Sequence, residues 1–292
     1  MTVLSVRHRT EYRFREPVKL GEHRLMSRPR DSHDLRLLDT ALLVAPQPSE
    51  LRWMHDVFGN SIVITSFAQM SDSLVFESSF RAEHFPLPEQ TIWIEPYARH
   101  LPFNYSGDDS ADLGRSMERQ YPDPDHAIDQ WAKKYVDAEA ERTTLNVLLS
   151  INQAINREFT YARREEFGVL EPTVTLSQGS GSCRDFAVFM MEAVRSLGLA
   201  ARFVSGYLYD ERLIGAQGGL VGGGATHAWL QVYLPGAGWL EFDPTNALVG
   251  GRNLIRVAVA RNAYQASPLL GSFVGSSGDF LSMNVTVEVT AE

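Results

Sequence analysis

Short β-rich runs separated by turn signals fill the first third of the chain, among them VLSVRHRTEYRF from Val3, TALLVAP from Thr40, SIVITSFAQ from Ser61 and SLVFESSF from Ser73. Such runs fit extended strands, and Phe58-Gly59-Asn60 marks a hairpin turn between two of them. They predict an antiparallel β-sandwich domain over residues 1–98. From Phe85 to about Asp125 the pattern breaks: the segment is Pro-rich and aromatic, then reads DDSAD and YPDPD, with no sustained period of two or 3.6. Residues 99–125 are therefore expected as a linker.

Helical periodicity begins near His126, where Ile128, Trp131, Ala132, Tyr135 and Val136 share one face. A second helix is predicted from about Thr144 to Glu158, with Leu148, Ile151 and Ile155 inward and a Thr at its N-cap. A third opens near Ser182, carries Phe186, Ala187, Met190, Met191, Val194 and Leu197, and stops at Gly198. Strands then follow as ARFVSGYLY, THAWLQVYL and GWLEFD, the last two joined by the turn Pro235-Gly236-Ala237-Gly238. Helices followed by an antiparallel sheet make an α+β core over residues 126–265. Residues 266–292 end in a strand with Leu281, Met283, Val285, Val287 and Val289 on one face, expected to return to the β-domain.

Composition adds mainly exclusions. The 292 residues have ordinary apolar and charged fractions, 44% and 22%, which fit a folded soluble protein. A formal net charge of -9 argues against a nucleic-acid partner, because binding a phosphate backbone takes a basic face. The N-terminus MTVLSVRHRT lacks the apolar run of roughly 7–15 residues of a secretory signal, and no stretch approaches the ~20 apolar residues of a membrane span. A cytoplasmic protein without a membrane partner is expected. One cysteine excludes both an internal disulfide and a multi-cysteine zinc site. No cofactor or metal motif occurs, and the acidic DDSAD and YPDPD do not space like a calcium loop.

That cysteine, Cys183, follows the small-residue turn Gln178-Gly179-Ser180-Gly181-Ser182 and enters the third helix in its first turn. Unpaired N–H groups and the helix dipole favour a thiolate there, and the Cys183 N–H is placed to donate to an oxyanion. His227 shares a strand face with Trp229, Gln231 and Tyr233. With a three-residue loop in the PGAG turn, positions 234 and 238 pair, which puts Asp243 diagonally beside His227 on that face. Thiol, imidazole and carboxylate thus occur in the setting that nucleophilic thiol catalysis requires.

Three blocks, Gly181-Ser182-Cys183-Arg184-Asp185-Phe186-Ala187, His227-Ala228-Trp229 and Gly238-Trp239-Leu240-Glu241-Phe242-Asp243-Pro244-Thr245, resemble the transglutaminase-like superfamily in its bacterial branch. Residues 3 to about 84, with Tyr12, Pro29 and Phe58-Gly59-Asn60, resemble the β-rich N-terminal domain of that branch. The resemblance implies a papain-like core of helices packed on an antiparallel sheet, with Cys183 as nucleophile, His227 as base and Asp243 as the residue orienting it. By the papain arrangement Gln178 is a candidate oxyanion donor. Where branch members commonly carry a Gly-Arg-Asp-Tyr-like stretch, this chain reads Ala260-Arg261-Asn262-Ala263-Tyr264, which leaves that side of the site open.

Trp229 and Trp239 are candidates to line a substrate cleft, packing being the alternative. The loop Ile214–Gly224 is glycine-rich but has no Lys and leads into a strand, so it reads as a flap beside His227 or a plain linker and not as a phosphate cradle. The function expected is thiol-dependent acyl transfer on peptide or glutamine carboxamide bonds, with a peptide or protein substrate. Hydrolysis is preferred over amine transfer. The alternatives are a transglutaminase cross-linking glutamine to amines and a non-catalytic binding protein on the same fold. Oligomeric state is not legible.

Overall fold

The structure is a computed structural model, and it describes residues 2–85, 92–210, 220–221 and 223–292. Its N-terminal part is organised by one long strand, β1 (Thr2–Leu25). Around it lie β2 (Leu35–Ala45), β3 (Glu50–His55), β4 (Ser61–Ser66) and β5 (Met70–His84) in the antiparallel order β2-β5-β1-β4-β3. Two C-terminal strands, β13 (Leu269–Val274) and β14 (Phe280–Ala291), also pair with β1 and complete a seven-stranded sheet. β14 runs antiparallel to β1 from Leu4 opposite Ala291 to Phe14 opposite Phe280. Its Val287 is buried, whereas Leu281 and Met283 of the same alternating series are exposed.

The register of β1 against β5 shifts between Arg13 and Val18, and this break separates two apolar clusters. Phe14, Val18, Leu20 and Leu25 pack with Val63, Phe67, Leu74 and Phe76 inside the β-rich part. Leu4 and Val6 instead pack with Phe80, Tyr207, Ile255 and Val257. Tyr207, Ile255 and Val257 belong to the second half of the molecule, so the first half of β1 serves as an interface.

That second half contains α1 (Gly107–Leu113), α2 (Ala127–Ala138), α3 (Thr144–Glu158), β6 (Thr160–Tyr161), α4 (Pro172–Gln178), β7 (Ser180–Gly181) and α5 (Cys183–Ser196). The strands β8 (Ala201–Leu208), β9 (His227–Leu234), β10 (Gly238–Asp243), β11 (Leu248–Val249) and β12 (Leu254–Ala260) follow. They form an antiparallel sheet in the order β11-β10-β9-β8-β12. The fold is thus α+β with antiparallel sheets. Ala228, Leu230, Val232 and Leu234 of β9 enter one core with Trp131, Ile151, Phe186 and Phe189 from α2, α3 and α5. The odd positions face the other way, where Trp229 meets Phe58 of the N-terminal part. Because both faces of the sheet are covered, β9 is buried at every position but Tyr233.

Three predicted helices coincide with α2, α3 and α5. Thr143 holds the N-cap position of α3 without a side-chain cap bond, and the Thr144 hydroxyl donates to the Ala98 carbonyl instead, at 2.7 Å. The segment 99–125, expected as a linker, is bonded to the core along its length. Tyr105 donates its hydroxyl to the Tyr233 carbonyl (2.8 Å) and accepts from the Ala200 N–H (3.0 Å). Arg119 donates to Glu192 at 3.0 Å and also pairs with Asp123 and Asp129. The cause lies in α5, where Glu192 and Arg195 are buried and a buried charge needs partners. The connecting segment supplies them. Among the described residues, no helix is long and apolar enough to cross a membrane.

Candidate active site

Three local devices set the position of Cys183. β6 and β7 pair in parallel, Tyr161 opposite Gly181, and bring the chain to the N-terminus of α5. Gly181 has no room for a side chain, since a Cβ there would lie 2.8 Å from the Asp185 Cβ. Ser182 caps the helix, so Cys183 is its first residue and is only 8% exposed.

Asp185, the third residue of α5, is wholly buried and organises the turn. Its Oδ2 accepts from the Ser182 N–H (2.8 Å) and hydroxyl (2.7 Å). Its Oδ1 accepts from the Leu170 N–H at 2.7 Å and from Arg164 at 2.9 Å. Arg184 donates to the carbonyls of Arg164 (3.2 Å) and Glu166 (3.1 Å). The two residues after the cysteine thus hold the 164–170 loop beside it. Asp185 was not among the candidates, although Ser182-x-x-Asp185 is a readable capping-box signal.

His227 opens β9 opposite Gly206 of β8. The β9–β10 register is the one the turn requires, Gly238 opposite Leu234 and Phe242 opposite Leu230, so Asp243 ends β10 beside the imidazole. The His227 Nε2–Asp243 Oδ2 separation is 2.8 Å, with both side chains fully buried. Asp243 Oδ1 also accepts from the Thr245 N–H (3.0 Å), and Oδ2 from the Asn246 carboxamide (2.8 Å).

Burial by itself lowers the basicity of His227, but the charge and hydrogen bond of Asp243, then the neighbouring Cys183, outweigh it and push the imidazole up to about 10. With Nε2 committed to Asp243, Nδ1 has no hydrogen-bond partner among the described residues. The same electrostatics reach Tyr161, whose phenol is raised by burial and by the charge of Cys183. Tyr161 follows from no sequence signal, because its place beside the thiol arises from the β6–β7 pairing.

The remaining candidates scatter. Trp229 is wholly buried: its ring stacks on that of His227, centroids 5.9 Å apart and planes at 28°, and packs among Val204, Leu208, Leu254, Val259 and Phe58. It supports the imidazole from behind and does not line an open cleft. Trp239 sits four residues before Asp243 on β10, about 14 Å away at strand spacing, under the Arg202 guanidinium at 4.1 Å. The two tryptophans therefore do not wall one cleft. Gln178 is exposed as the last residue of α4. In the Ala260–Tyr264 stretch, Arg261 pairs with Gln120, and the exposed Tyr264 meets the ring of Phe167 edge-on at 6.0 Å. Of the expected flap, residues 211–219 and 222 lie outside the described residues. Its flank is held, with the Leu220 N–H donating to Asp210 (2.9 Å) and Val221 paired with Asn246.

A thiol at a helix N-terminus, facing an imidazole backed by a buried carboxylate, is the arrangement of papain-like thiol enzymes. Residues 4–83 match the family described as the bacterial transglutaminase-like N-terminal region, and residues 129–244 match the transglutaminase-like superfamily. The chain belongs to the transglutaminase-like superfamily, in the bacterial form with that N-terminal region. Cys183, His227 and Asp243 all fall within the second match. An uncharacterized protein of Mycobacterium tuberculosis is 27% identical over 295 residues, 97% of this chain and 91% of its own. An uncharacterized protein of Mycobacterium leprae is 36% identical over 115 residues, 39% of each chain. A proposed cysteine protease from Cytophaga hutchinsonii superposes with a TM-score of 0.70 over 99% of this chain and 90% of its own, at 18% identity. That likeness is one of fold.

Proposed function

We propose that the protein is a thiol-dependent acyl-transfer enzyme acting on peptide or glutamine carboxamide bonds, with Cys183 as nucleophile, His227 as acid and base, and Asp243 as the residue orienting it. The observation that carries this reading is the His227 ring itself: Nε2 is held by Asp243 at 2.8 Å, while Nδ1 remains for the thiol. The Cys183 sulfur attacks the carbonyl carbon, and the C=O electron pair moves to oxygen beside the Cys183 N–H. The imidazolium gives its proton to the departing nitrogen as the C–N bond breaks, leaving a thioester and a free amine or ammonia. Water then attacks the thioester carbonyl as His227 takes one of its protons, the C–S bond breaks with its electron pair passing to sulfur, and the acid is released, which restores the thiolate and the imidazolium. Gln178 is retained as a proposed second oxyanion donor.

Hydrolysis is the preferred outcome, since transfer to an amine requires an acceptor cleft that excludes water. A cysteine that must stay reduced to act suits the cytoplasm, where we place the protein. The test combines dansyl-cadaverine with casein and follows both incorporation and ammonia or peptide release. Release without incorporation, abolished in Cys183→Ala, supports hydrolysis. Incorporation abolished in the same variant favours a cross-linking transglutaminase. Absence of both, with a slow thiol, returns the fold to a binding role.

A further inference from the structure

We propose that Asn246 is a positioning residue of this site, holding the Asp243 carboxylate against His227 and tying it to the backbone at Val221. The inference rests on the catalytic reading above and assigns a role that the thiol, imidazole and carboxylate do not themselves fill. One N–H of the Asn246 carboxamide donates to Asp243 Oδ2 at 2.8 Å, the oxygen that also faces His227 Nε2. The same nitrogen donates to the Val221 carbonyl at 3.1 Å, and Asn246 Oδ1 accepts from the Val221 N–H at 2.8 Å. Every polar atom of the carboxamide is thereby engaged, and its orientation is fixed from both sides.

The geometry has a specific consequence. Thr245 holds Oδ1 through its backbone N–H at 3.0 Å, so Asn246 and His227 divide Oδ2 between them and the carboxylate cannot turn away from the imidazole. A neutral donor suits this place: a cation would compete with His227 for the carboxylate, and an anion would repel it. The pair of bonds to Val221 is the arrangement by which one strand recognises another. Among the described residues, the titratable group bonded to Asp243 is His227 on β9, and Cys183 on α5 acts on that imidazole in turn.

The test measures iodoacetamide addition to Cys183 by intact mass from about pH 5 to 8, in the wild type, His227→Ala, Asn246→Ala and Asn246→Asp. A fast wild type and a slow His227→Ala establish the catalytic pair. Asn246→Ala should then label about tenfold more slowly than the wild type near pH 6. Asn246→Asp keeps the shape of the side chain, which guards against loss of fold. Near neutrality its carboxylate repels Asp243, but on protonation its O–H can donate to Asp243 as the amide did. Its rate relative to wild type should therefore climb as the pH falls, a behaviour that a purely structural role would not produce. A constant ratio across the range, or an Asn246→Ala that labels at the wild-type rate, overturns the proposal. A wild type as slow as His227→Ala overturns the catalytic reading itself, and the role of Asn246 with it.

Discussion

The Asn60 side chain grips Val259 on both of its backbone groups, its amide nitrogen 2.6 Å from the Val259 carbonyl and its oxygen 2.9 Å from the Val259 N–H. Val259 lies on β12, the edge strand of the core sheet, so a hairpin turn of the N-terminal part supplies the bonds that a further strand would make. Asp56 prepares the turn by accepting from the N–H groups of Phe58 (2.9 Å) and Asn60 (2.8 Å). Asn60→Ala leaves two backbone groups unpaired at a buried site, and each costs about 1–3 kcal/mol. We expect a loss of roughly 2–6 kcal/mol in urea unfolding, and an unchanged midpoint would show that the two parts do not depend on this contact.

Asp243→Asn tests the orienting role. The shape is kept, but an amide can present an N–H to Nε2 and reverse the protonation of the ring. Turnover of any substrate that Cys183→Ala abolishes should fall by about 10⁴-fold, with the melting temperature little changed. A variant within tenfold of wild type would remove Asp243 from the mechanism.

Two buried histidines should bracket the pH range of stability from opposite sides. His227 is raised to about 10, so its contribution is fully present below its unfolded value near 6.5 and is lost as the pH rises through 10. His8, bonded to the Tyr207 hydroxyl at 2.9 Å, is lowered by burial to about 4. Its contribution is present above about 6.5 and is lost as the pH falls towards 4, by at most roughly 3 kcal/mol. Urea midpoints measured across pH should show the alkaline decline flattened in His227→Ala and the acid decline flattened in His8→Gln.

Gly206→Ala should be severely destabilising. A Cβ there would meet the Ile255 carbonyl oxygen at 2.1 Å and the Trp229 ring at 2.7 Å, and neither can retreat from between the packed strands. Overpacking of this kind costs about 1–3 kcal/mol and more where backbone is the obstacle. Because Gly206 pairs with His227, thiol labelling should fall together with thermal stability. A stable variant with normal labelling would show that the strand spacing tolerates a methyl group.

Much of this protein is legible without its structure, because local chemistry decides it. The face of α2, the stop of α5 at Gly198 and the pairing of Leu234 with Gly238 each depend on residues within a few positions, where periodicity and turn type are decisive. The same local rules place Cys183 in a helical first turn and Asp243 on the His227 face. They are silent about contacts across long separations. The packing of segment 99–125 against Glu192, the bond from Asn60 to Val259, the burial of Trp229 and the place of Tyr161 beside the thiol all join residues whose nearness comes only from assembly. Sequence alone determined which side chains are candidates to carry chemistry and how each is presented by its own element. Tertiary structure decided which of them share an oxygen, which are sealed from solvent and which lie at the rim, because those outcomes depend on how the layers stack.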